Sequence, residues 1–147
     1  MSFGGPRRRS SAVSFSGLSH IGDSFRRHPV VRFKRKGAFT SGITLGEAQA
    51  NVRLSGWDSY TLHDLHVDGR GRIYMKVNWP GYPPLNYDIP VDGYDGYVDL
   101  QSLARRVGRA VAHYLQANRI PIPWDRIELQ SMEEMTMGTW YLKMTTV

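Results

Sequence analysis

Asp99-Leu-Gln-Ser-Leu-Ala-Arg-Arg-Val-Gly-Arg-Ala-Val-Ala-His-Tyr-Leu-Gln-Ala-Asn118 decides how the rest of the chain is read. Leu100, Leu103, Ala104, Val107, Ala110, Val111, Tyr114 and Leu115 recur at steps of three and four, which places them on one face of a helix. Asp99 suits the N-cap, where its carboxylate accepts from free N–H groups and meets the positive end of the helix dipole. Asn118 can close the helix in a left-handed conformation, with Pro121 just beyond. The other face carries Arg105, Arg106, Arg109 and His113 and no acid. The helix therefore buries one side and presents positive charge on the other.

Working outward, residues 60–67 and 72–79 read as strands joined by the turn Asp68-Gly69-Arg70-Gly71. The second alternates cleanly, with Ile73, Met75, Val77 and Trp79 on one face and Tyr74, Lys76 and Asn78 on the other. After the stiff Pro80-Gly-Tyr-Pro-Pro84 turn, Leu85, Tyr87, Ile89 and Val91 line a third strand. Pro90 cannot donate to a ladder, so this strand is expected at an edge, or to end there. Upstream, Thr44 with Glu47 is a capping-box pattern that predicts a short helix over residues 45–52. Downstream, Ile127 and Leu129 begin a fourth strand, and Trp140, Leu142 and Met144 line a fifth. The expected fold is α+β: an antiparallel sheet, formed by a three-strand meander plus a C-terminal hairpin, packed on one main helix. It occupies residues 42–147 as a single domain behind an irregular basic N-terminal arm, residues 1–41.

Charge supports that division. The net charge of +6 splits into nine Lys/Arg against Asp23 alone in residues 1–40, a balance of +8, and ten against twelve acids in the remainder, a balance of −2. The arm is rich in Gly, Ser and Arg and has no sustained period. It nonetheless holds every phenylalanine of the protein: Phe3, Phe15, Phe25, Phe33 and Phe39. These alternate with Arg7, Arg8, Arg9, Arg26, Arg27, Arg32, Lys34, Arg35 and Lys36. Spaced aromatics beside cations dock on another surface, stack on bases, or pack back onto the domain. A disordered leader with incidental Phe is the plain alternative, and the sequence leaves both open. Arg7-Arg-Arg-Ser-Ser11 also suits a basophilic kinase, whose phosphate would cut the arm's charge.

The chain has no cysteine, which excludes disulfide scaffolds, thiolate zinc sites and cysteine nucleophiles. No apolar run approaches the ~20 residues needed to span a bilayer. An intracellular location, cytoplasmic or nuclear, is expected, with a mitochondrial presequence as the minority reading because Gly4, Gly5, Pro6 and Pro29 interrupt the helix it needs.

Five blocks resemble a known family: Ile43-Thr-Leu-Gly-Glu-Ala48; Asn51-Val-Arg-Leu-Ser55; Gly71-Arg-Ile-Tyr74 with Trp79-Pro-Gly-Tyr82; His113-Tyr-Leu-Gln-Ala-Asn118; and Pro121-Ile-Pro-Trp-Asp-Arg126. The family is one of small uncharacterised basidiomycete fungal proteins with a domain of unknown function. The resemblance spans residues 40–130 and implies an origin and a shared fold, with no activity, cofactor or site attached.

Candidate chemistry is sparse. His63, Asp64, His66 and Asp68 have ligand-type side chains, but on a strand the two histidines point to opposite sides, so no metal site is expected. The Asp92-Gly-Tyr-Asp-Gly-Tyr-Val-Asp99 loop lacks the spacing of a twelve-residue calcium loop and reads as a turn-rich connection. Glu133 and Glu134 are adjacent on a strand and face opposite ways, so they form no acid pair. Neither a Gly-x-Ser-x-Gly elbow nor a phosphate loop is present. An enzyme would require a pocket joining His63 or His66 to carboxylates. The expectation is a non-catalytic binding or self-assembly protein, without cofactor. Its arm would dock on neighbouring copies, another protein or an anionic polymer through the arm's cations and phenylalanines. The alternative is a nucleic-acid-binding module that uses the arm together with Arg105, Arg106 and Arg109.

Overall fold

Helix α2 (Leu100–Ala117) sits where its sequence period puts it. Asp99 caps it by accepting from Ser102 N–H at 3.1 Å. At the far end Arg119, not Asn118, takes the left-handed conformation (φ 52°). Asn118 instead donates from its side-chain amide to the Tyr114 carbonyl. The computed structural model describes residues 29–147 apart from residue 57. In chain order its remaining elements are β1 (Val30–Arg32), β2 (Ile43–Thr44), α1 (Leu45–Gln49), β3 (Arg72–Val77), β4 (Leu85–Pro90), β5 (Gly93–Tyr94) and β6 (Tyr97–Val98). After α2 come a 3-10 turn (Trp124–Arg126), β7 (Ile127–Thr136) and β8 (Thr139–Thr146).

The main sheet runs β1-β7-β8-β3-β4, with β2 pairing farther along β7. All its pairings are antiparallel except β3 with β8, which is parallel. The architecture is thus α+β with a mostly antiparallel sheet and one main helix. Two details depart from expectation. First, residues 60–67 form no strand. Thr61 and Asp64 cap one another, each backbone N–H donating to the other's side chain at 3.0 Å, and this starts a single helical turn. His66, at φ 54°, ends that turn. The place of a meander's first strand is taken by β8, which inserts between β3 and β7.

Second, the chain from residue 30 belongs to the sheet. Val31 pairs with Met132 in β7, and Val31 and Phe33 are buried. A bridge between Arg35 and Leu54 ties on the segment that follows. The edge of the folded domain therefore falls before residue 41. Alternating burial in β1 (partial, buried, exposed) was too short a pattern to compete with the surrounding Arg and Lys residues.

Both helices lie on one face of the sheet, over Ile73, Met75, Val77, Leu129, Met132, Trp140 and Leu142. Tyr114 is buried in this layer with its hydroxyl satisfied, accepting from Trp79 N–H at 3.0 Å and donating to the Pro83 carbonyl at 2.9 Å. α1 begins with the full Thr44/Glu47 capping box and crosses α2 at Gly108, where Ala48 and Leu45 approach. It ends at Gln49, sooner than the residue 52 expected, because Asn51 turns left-handed (φ 56°).

Candidate docking surface

The turn after residue 35 builds the most exposed apolar feature of the described chain. Ala38 N–H returns to the Arg35 carbonyl, Gly37 supplies the positive φ (86°), and Gly42 N–H closes onto the Phe33 carbonyl at 2.7 Å. Phe39 stands at the tip of this loop, 99% exposed. Beneath it, Lys36 N–H donates to the Arg53 carbonyl and Ser55 N–H to the Lys34 carbonyl, so Lys36 lies opposite Arg53. Both are exposed. Like charges placed directly opposite repel one another, an arrangement that folding alone does not favour.

The acids of this corner are already engaged. Arg35 turns inward and donates from Nη2 to Glu47 at 2.9 Å, and its guanidinium lies 3.8 Å from Glu128. The Arg35 guanidinium holds the Glu47 carboxyl below the usual carboxylate range, helped by the Thr44 N–H. Among the described residues no acid pairs with Lys34, Lys36 or Arg53.

The structure thus sorts the cations and phenylalanines of the arm. Phe33 is core, and Phe39 is surface. Arg32, Lys34 and Lys36 are available, whereas Arg35 is committed to internal ion pairs. Phe3, Phe15, Phe25, Arg7, Arg8, Arg9, Arg26 and Arg27 lie outside the described residues.

The basic face of α2 is less available than its sequence suggests. Arg106 donates to the Pro90 carbonyl at 3.0 Å and pairs with Asp92 at 2.9 Å, holding that carboxyl below its usual range. Arg105 donates to the Asn51 side chain at 2.8 Å. His113 Nδ1 lies 2.8 Å from the Tyr87 hydroxyl, whose pKa burial pushes up to about 12. Arg109 remains exposed.

Two other clusters resolve differently. The Asp92–Asp99 stretch is the β5–β6 hairpin, turning on Asp95 and Gly96, both with positive φ. With no strand here, His63 and His66 do not point to opposite sides as expected: their rings meet edge to face, centroids 6.3 Å apart, and both line one recess with Asp68. Asp64 caps Thr61, and Asp68 accepts the N–H groups of Arg70 and Arg72. His66 reaches a partner that spacing could not reveal, its Nδ1 lying 2.7 Å from Oε2 of buried Glu134. Glu134 also accepts Gly138 N–H at 2.6 Å, which ties the β7–β8 turn to the 61–66 turn. A recess of about 420 Å³ opens here, lined by His63, His66, Val67, Asp68, Arg72, Tyr74, Met137 and Gly138.

These features define a two-layer α+β domain, with helices on one face of its sheet and a cationic, Phe-tipped corner at its entry. Over residues 21–146 the chain matches the family described as domain of unknown function (DUF6741), and it belongs to that family. No curated protein and no solved structure matches it.

Proposed function

We propose that this is a non-catalytic binding protein that docks on an anionic polymer through the corner formed by Phe39, Lys34, Lys36 and Arg53. The observation that carries this reading is the juxtaposition of Lys36 and Arg53 under a fully exposed Phe39. Internal acids leave these cations uncompensated, and an anionic partner would relieve their repulsion. Arg32 extends the positive charge toward Arg26 and Arg27 in sequence.

The helix-based nucleic-acid reading loses support, since Arg105 and Arg106 are tied to Asn51, Pro90 and Asp92. An enzyme is a distant reading. A recess joins His63 and His66 to Asp68, with His66 on Glu134, which is the arrangement an enzyme would require. But Glu134 anchors two turns and, among the described residues, no Ser or Thr lines the recess.

The test is heparin binding by full-length protein across a salt series. Lys36→Glu with Arg53→Glu should abolish binding, Phe39→Ala should weaken it several-fold, and Arg105→Ala should leave it nearly unchanged. Affinity should fall steeply with salt, as counterion release requires. No binding by the parent protein would refute the reading. Phe39 also suits a neighbouring copy as partner, and light scattering reports that case as a salt-stable oligomer lost on Phe39→Ala.

A further inference from the structure

The face of the sheet opposite the helices is built from the alternate residues of each strand. Its register can be followed strand by strand. Arg32 lies beside Ser131 and Ser131 beside Lys143, while Glu133 lies beside Tyr141, Tyr141 beside Lys76 and Lys76 beside Asn86. Tyr74 follows two residues before Lys76, opposite Asp88 on β4 and Thr139 on β8. Among the described residues no element covers this face, and Tyr74 and Tyr141 are 48% and 42% exposed. They stand on adjacent strands as diagonal neighbours, which sets them roughly 7 Å apart.

Large half-exposed rings on a sheet interior invite a partner with flat faces. Three features indicate which partner. Lys76 Nζ sits 5.2 Å from the centre of the Tyr141 ring, and Lys143 and Arg32 occupy the next row, so cations flank the rings. Of the acids on this face, Asp88 is paired with Arg70 and Arg72, and Glu128 lies 3.8 Å from Arg35, which leaves Glu133 to offset Arg32, Lys76 and Lys143. Among the described residues none of the three has an acid partner, Lys76 resting on the Tyr141 ring instead. The strip also continues through Arg32 toward Lys34, Lys36 and Arg53.

We infer that Tyr74 and Tyr141 form a stacking platform for successive bases of a single-stranded nucleic acid. Arg32, Lys76 and Lys143 meet its phosphates. Stacking tolerates any base, so the expected binding has weak sequence preference. The recess beside Tyr74, with Arg72 and His66 in its wall, lies where the strand would continue past the β7–β8 turn. This inference rests on the docking function proposed above and names the polymer.

The experiment uses full-length protein with a fluorescein-labelled oligo-dT and, separately, labelled heparin, which carries charge but no bases. Tyr74→Ala and Tyr141→Ala should each weaken oligo-dT binding by on the order of tenfold and leave heparin binding unchanged. Tyr→Phe at either position should restore stacking and hence affinity, which separates the loss from a folding defect. Equal losses for both ligands, or oligo-dT affinity unaffected by the two alanines, would overturn the platform while leaving the docking function standing. Heparin binding without oligo-dT binding would do the same. Binding of neither ligand would overturn both proposals.

Discussion

Glu47 shows how much one side chain can carry at the residue scale. Its carboxylate accepts from Arg35 and from Thr44 N–H, while its own N–H donates to the Thr44 hydroxyl. The folded protein therefore lowers its pKa, with the Arg35 hydrogen bond as the main cause. A carboxyl lowered on folding adds stability at pH above its unfolded value, about 4, and that contribution vanishes as pH falls through the folded value. Asp92 beside Arg106 has the same sign. Acidification below about pH 4 should accordingly depress the thermal midpoint. Glu47→Gln should flatten that acid limb, at a cost of about 1 kcal/mol at pH 7, kept small because the pair is partly exposed. Parallel acid limbs for the two proteins would contradict this assignment. The capping box itself was legible, since Thr44 and Glu47 have the required spacing. Arg35 was not, because nothing local marks which of three neighbouring cations turns inward.

Phe33 and Phe39 illustrate the same limit. Both lie among cations, yet one is fully buried and the other fully exposed. The difference comes from register against β7, a long-range fact. Phe33→Ala should cost about 3–5 kcal/mol in denaturant unfolding, whereas Phe39→Ala should leave stability unchanged within error.

Elements with a strong period could be read directly. In α2 the expected apolar positions are all buried, and the Asp99 cap is as expected. Strands β3, β4 and β8 were marked by alternation. The 60–67 segment was misjudged because Tyr60, Leu62 and Val67 satisfy strand preferences, while the signal that prevailed was the Thr61/Asp64 pair, a cap in a segment too short to show helical period. The α1–α2 crossing offers a test at this scale. A Cβ on Gly108 would lie 3.4 Å from Ala48 Cβ and 3.3 Å from the flexible Gln49 amide. Gly108→Ala should thus be close to neutral, with helix propensity offsetting the tight contact. Gly108→Leu overfills the crossing and should cost about 1–3 kcal/mol by chemical denaturation. Equal stability of the two variants would mean the helices do not cross where described.

For the whole molecule, the stretch assigned to the arm on charge includes residues that the sheet takes in. Residues 30–36 belong to the fold through β1, Phe33 and the Arg35–Leu54 bridge. A chain starting at residue 42 should fail to give a cooperative melt, whereas one starting at residue 29 should melt as a single transition, by circular dichroism. A cooperative melt from residue 42 onward would show that β1 is dispensable. The docking corner was half legible: Phe39, Lys34 and Lys36 were singled out, but Arg53 was not, because only the Lys36–Arg53 pairing brings it there. Of the proposed sheet platform only the shared face of Tyr74 and Lys76 was legible, because Tyr141 is brought beside them by a parallel pairing across 67 residues.

That parallel pairing has a consequence in time. β8 holds the middle of the sheet and is also the last of the described strands to be synthesised. Without β8, the β3–β4 hairpin and the β1–β7 pair have no strand to join them into one sheet. Helix α2 then has only half a floor to rest on, and its apolar face stays open to solvent or chaperone. Assembly of this domain is therefore a late, single event, and the order of synthesis postpones it to the end of the described chain.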